Sequence, residues 1–80
     1  MARAFRHRGL TVYVGAERGQ PHHLPHVHIQ RGGEIVWSLI LPTLQPLHDG
    51  PPMPKWLVRK LEEELEPMLA IWERLNDERV

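Results

Sequence analysis

Residues 26–40, HVHIQRGGEIVWSLI, constrain the fold more than any other stretch, because two strand-length runs meet at a glycine pair. In HVHIQ, Val27 and Ile29 point one way and His26, His28 and Gln30 the other, since successive side chains of a strand alternate between its faces. EIVWSLI is rich in β-branched and aromatic residues and reads as a second strand, with RGGE as the turn between them. A two-residue loop pairs His28 with Trp37 and mixes the histidines with Ile35, Trp37 and Leu39. A three-residue loop with a glycine in the left-handed region shifts the pairing by one and aligns Val27 and Ile29 with Ile35, Trp37 and Leu39. A one-residue slip moves every side chain to the other face, and only the second register gives a single apolar face. The three-residue loop is therefore the expected one, with His26 and His28 turned away from the core.

The remaining segments supply a partner strand and a cover. LTVYV at 10–14 alternates, with Leu10, Val12 and Val14 on one face and Thr11 and Tyr13 on the other. GAERGQPHHLP is a Gly- and Pro-rich loop, and LPTLQPLHDGPP is a connection whose prolines exclude helix. From Met53 to Asn76, Leu57, Leu61, Leu65, Met68, Trp72 and Leu75 recur at spacings of three and four, which is one helical stripe. Pro67 interrupts that run by removing a backbone donor, so the helix should kink there or divide into two segments meeting near Glu64 to Pro67. The expectation is a single α+β domain over residues 1–80: a basic N-terminal arm (1–9), a three-stranded antiparallel β-meander (10–41), a Pro-rich connection (42–52) and one long kinked C-terminal helix (53–76) across one sheet face.

Size and charge narrow the function classes. A chain of 80 residues has one modest core and buries roughly 60% of its unfolded surface. It has no cysteine, so neither disulfides nor a thiolate zinc site can staple it. MARAFRHRGL has no apolar stretch typical of a signal peptide, and no apolar run approaches the roughly 18 residues of a membrane helix, so a cytoplasmic protein without a membrane segment is expected. Formal net charge is +0 but unevenly placed: Arg3, Arg6, Arg8, Arg18 and Arg31 sit in the first half and EEELE at 62–66 in the second. Overall neutrality does not favour a general nucleic-acid binder.

Four of the six histidines, His22, His23, His26 and His28, fall between residues 22 and 28. His26 and His28 share a strand face with Cβ atoms roughly 6.5–7 Å apart, close enough for both imidazoles to reach one metal. His22 or His23 from the incoming loop could add a third ligand, a set that suits zinc, nickel or copper. The same histidines also suit acid–base chemistry on a phosphodiester, with Arg31 or the N-terminal arginines on phosphate. The plainest alternative is a polar recognition surface made of Tyr13, His26, His28, Gln30 and Arg31. HVHIQ is not a histidine-triad nucleotide hydrolase motif, since Leu24 stands where the first of three alternating histidines would fall. Val36 and Ile40 are expected on the same uncovered face, and exposed apolar groups on a sheet invite a protein partner or a second copy of the chain.

GLTVYV, an acidic loop, PHVHI, then LP and a terminal helix holding LAIWERLN together resemble an uncharacterised bacterial family, domain of unknown function four-one-six-zero. The resemblance runs from Phe5 to Asn76 and is most specific at Pro25, His26, Val27 and His28. Glu17 and His22 match an acidic residue and a histidine that precede this motif in the family, and Trp72 matches a tryptophan near the helix end. The doublet His22-His23 and a lengthened loop before the motif depart from the pattern. The resemblance implies no established activity. It does imply a chain encoded beside another small protein, in an arrangement like a toxin–antitoxin-type pair. Two function classes follow: an interaction module of such a pair, and a metal-dependent or histidine-based hydrolase acting on RNA or another phosphodiester.

Overall fold

The computed structural model describes residues 2–15 and 25–77. Its order is β1 (Ala2–His7), β2 (Leu10–Gly15), β3 (His26–Arg31), β4 (Glu34–Ile40), β5 (Gln45–Pro46), α1 (Lys55–Glu63) and α2 (Leu65–Asp77). The strands form one antiparallel sheet in sequence order. The helices cover one face. The α+β class stands, but a five-stranded sheet with two helices replaces the expected three-stranded meander with one long kinked helix.

The first added strand comes from the segment read as a basic arm. Phe5 opposes Val12 and His7 opposes Leu10 on the core side, while Arg3 opposes Tyr13 and Arg6 opposes Thr11 on the other. A register shift between Arg3 and Phe5 leaves Ala4 as the extra residue. That bulge breaks strict two-residue alternation, the signal by which a strand is read from sequence. The second addition, β5, is two residues long and pairs Gln45 with Ile40 and Pro46 with Leu39.

At the glycine pair, the face assignment and the loop part company. Val27 pairs with Leu39, His28 with Ser38 and Ile29 with Trp37, as the apolar-face register requires. The loop, however, has two residues: Arg31 opposes Glu34, and Gly32 and Gly33 both have positive φ, 59° and 86°. Two positive φ values make the type I′ turn that matches strand twist. The one-residue shift arises further along, where Gln30 opposes Ile35 and Ile29 opposes Trp37, leaving Val36 as a bulge. Ile35 therefore lies beside Gln30, off the buried face, and is 52% exposed. Val36, expected on the histidine face, packs against the core instead.

The core is the inner sheet face plus one stripe of the helices: Leu10, Val12, Val14, Val27, Ile29, Trp37, Leu39, Leu41, Leu57, Leu61 and Met68 are all buried. Leu65, Trp72 and Leu75 are partly buried against it. The helix breaks at Glu64 (φ −98°, ψ 9°), before Pro67. Pro67 would need to donate to the Glu63 carbonyl to continue the first helix; it has no N–H, and its ring clashes with that carbonyl. Ending α1 at Glu63 puts Pro67 in the first turn of α2, where no such donor is required. Among the described residues, no helix is long and apolar enough to cross a membrane.

Candidate functional site

Turned away from the helices, the other sheet face carries a row across four strands. Arg3 opposes Tyr13, Tyr13 opposes His28, and His28 opposes Ser38. Neighbouring strands lie about 4.8 Å apart, so the row spans roughly 14 Å from β1 to β4. A second row, Arg6, Thr11, Gln30 and Ile35, lies next to it. Arg3 and Arg6 are exposed and Tyr13, His28 and Gln30 partly buried, so the rows form a basic, aromatic surface. Among the described residues, neither row contains an acidic side chain.

The histidines are held from two sides. His28 Nδ1 and Ser38 Oγ are hydrogen-bonded at 2.8 Å, which fixes the ring orientation. The His26 and His28 rings meet edge to face, centroids 5.1 Å apart and planes at 78°. Two imidazoles on one tetrahedral metal would also have centroids roughly 5 Å apart, given nitrogen–metal bonds of about 2.0–2.1 Å. His26 is only 3% exposed and Ser38 6%, so this end of the face is not the open surface expected. His26 lies opposite Gly15, and a Cβ built there would meet its Nε2 at 2.5 Å. Glycine is needed here for space.

That contact gives a direct prediction. Gly15→Ala should displace the His26 ring and cost about 1–3 kcal/mol, as overpacking of filled sites does. For a domain of this size each 1 kcal/mol corresponds to roughly 4–8 °C in Tm. Thermal unfolding of Gly15→Ala beside a Gly15→Ala, His26→Ala double variant reads it. An unchanged Tm for the single variant would show that the ring is not confined.

Of the residues proposed from sequence, Tyr13, His26, His28 and Gln30 share the face. Arg31 does not: it opposes Leu10 and Glu34, on the side of Ile29, and is exposed at the end of the sheet. His22 and His23, the remaining proposed ligands, and Glu17 lie outside the described residues. Among the described residues, no group of three or more His, Asp or Glu side chains is arranged to hold a metal. Sequence reasoning missed Arg3 and Arg6 as members of the face because they were read as an arm. Their signal was the spacing of Phe5 and His7 with intervening arginine, obscured by the bulge at Ala4. No family model, no curated protein and no solved structure matches the chain.

Proposed function

We propose that the chain is an interaction module, one member of a two-protein pair of the toxin–antitoxin type, whose partner seats on the histidine-bearing sheet face. The observation that carries this reading is the row Arg3, Tyr13, His28 and Ser38, which puts an arginine and a tyrosine on one flat surface. Tyr and Arg are enriched among the residues that dominate interface energies. Ile35, the one large apolar side chain exposed among the described residues, lies on the same face beside Gln30. With Arg3 and Arg6 present and no carboxylate in the two rows, the complementary partner surface is acidic.

The test is co-expression with the product of the adjacent reading frame, followed by calorimetry on the separated proteins. The expected result is a stable complex, weakened at least about tenfold by Tyr13→Ala and by Arg3→Glu, or about 1.4 kcal/mol each. Thr43→Ala, at an exposed position beyond the sheet, should leave affinity unchanged. No complex, or one indifferent to both Tyr13→Ala and Arg3→Glu, overturns the reading.

A second reading rests on the His28–Ser38 hydrogen bond. Buried Ser38 would be a positioning residue for a His28 that exchanges protons through Nε2, with Arg3 and Arg6 on the phosphodiester of an RNA. Its metal-dependent form takes His26 and His28 as two ligands of zinc or nickel. His28→Ala separates the readings, since RNA cleavage that it abolishes belongs to the second alone. Zinc and nickel titrations of the wild type and a His26→Ala, His28→Ala variant test the metal form. Equal weak binding leaves the histidines as a recognition surface.

A further inference from the structure

On the helix side of the sheet, away from the partner face, a basin of about 330 Å³ is lined by His7, Arg8, Trp56, Arg59, Lys60 and Glu63. Trp56, Arg59, Lys60 and Glu63 fall at helical spacings of three, four and seven, so one stripe of α1 faces the β1–β2 turn. The Arg8 guanidinium lies 4.7 Å from the centroid of the Trp56 ring, and His7 meets that ring edge-on at 5.9 Å. Three cations share the basin with one carboxylate, Glu63, while Glu64 approaches Lys60 at 3.4 Å. The start of α1 adds to the positive field, having no side-chain cap and no acidic residue in its first turn.

Arg8 itself is in an uncommon conformation. It and Gly9 have φ of 50° and 79°, so the β1–β2 loop is again a two-residue turn with both residues left-handed. The turn at Gly32 and Gly33, with the same signs of φ, uses glycine at both positions. At Arg8 a residue with a Cβ and a long side chain accepts a conformation that favours Gly, Asn or Asp. Strain of this kind clusters where a side chain must be held in place for binding. Here it carries a planar cation over an indole, at 4.7 Å from the ring centroid, within cation–π reach at the basin's edge.

We propose that this basin binds a nucleotide, its phosphate among Arg59, Lys60 and His7 and its base against the Arg8–Trp56 pair. Charge selects phosphate, and the flat aromatic–guanidinium surface suits a base, which stacks on such groups whatever its identity. The volume is at the lower end of small-ligand sites, the range of one nucleotide rather than of a large cofactor. The nucleotide can be free or one unit of a single strand; the recognising chemistry is the same.

The test is an NMR titration of the isotope-labelled full chain with adenosine diphosphate, with a ten-residue oligothymidylate and, separately, with pyrophosphate. The expected result is a shift of the Trp56 indole N–H and of the amides near Arg8, Arg59 and Lys60. The Trp37 indole, hydrogen-bonded to the Pro51 carbonyl, stays in place. Saturation by adenosine diphosphate assigns a free nucleotide; an oligothymidylate affinity at least tenfold tighter assigns a strand. Arg8→Gly, which fits the turn without strain, should keep or raise Tm and weaken binding at least tenfold, and Arg59→Glu should weaken it as much. The proposal is overturned if neither nucleotide probe perturbs Trp56, if pyrophosphate binds as tightly as adenosine diphosphate, or if both variants bind like the wild type.

Discussion

Leu61→Ala should cost about 2–5 kcal/mol, the range for removing a fully buried leucine side chain. Leu61 is 0% exposed, on the inner face of α1 within the same buried cluster as Leu57 and Met68. At about 0.05–0.15 kcal/mol per residue, a domain this small has a total stability of only several kcal/mol. One truncation therefore consumes much of it, and a large fraction of the variant should be unfolded at growth temperature. Urea denaturation followed by circular dichroism measures the loss, with Leu61→Met, expected to cost less than about 1.5 kcal/mol, as the volume-conserving control. A loss below about 1 kcal/mol for the alanine variant would mean that the two helices are not held by this stripe.

Trp37→Ala is the second large effect, expected at about 3–5 kcal/mol. Its indole N–H donates to the Pro51 carbonyl at 2.7 Å, and its ring lies against Gly50, where a Cβ would meet Cδ1 at 3.4 Å. Together with Leu39, Pro46 and Met53 it lines a groove of about 280 Å³ under the proline-rich connection. Trp37 thus anchors a segment that has little regular structure of its own. Trp37→Phe keeps most of the apolar contact and removes the donor, so it should cost about 0.5–1.5 kcal/mol for the lost bond, plus the smaller ring's packing deficit. Chemical denaturation of both variants, with limited proteolysis of residues 42–54, tests this. If Trp37→Ala leaves that segment as protease-resistant as the wild type, the anchor lies elsewhere.

The central hairpin was legible because alternation and burial agree there: Val27, Ile29, Trp37 and Leu39 line one face as their spacing demands. The mechanism of that register was not legible. A turn of three residues and a turn of two followed by a bulge at Val36 deliver the same pairing of Ile29 with Trp37, and differ only at Glu34, Ile35 and Val36. Local pattern cannot separate them, because the bulge is decided by how Val36 packs. The helical stripe was readable for the same reason as the hairpin, but the break sits at Glu64 because Pro67 acts on the carbonyl four residues before it. β1 escaped notice because three arginines in AFRHR and its flanks resemble a solvated arm, and one extra residue at Ala4 scrambled the alternation. On the candidate site, the shared face of Tyr13, His26, His28 and Gln30 followed from strand geometry alone. The burial of His26 did not, because strand spacing does not reveal that its ring is seated against Gly15 across the sheet.

The two margins of the sheet bear on what happens when many copies of the chain are crowded together. An unpaired strand is a template for further strands, and flat, uncharged margins seed ordered aggregates. Here one margin, β1, is bent by the bulge at Ala4 and carries Arg3 and Arg6. The other is β5, two residues long with Pro46 lacking an N–H to offer, followed by the start of β4, which β5 does not pair and the bulge at Val36 bends. Neither margin can be extended in register by another molecule without displacing a bulge or a proline. A partner is therefore steered to the face of the sheet, and the concentrated protein should stay free of fibrils so long as Ala4 and Pro46 are in place.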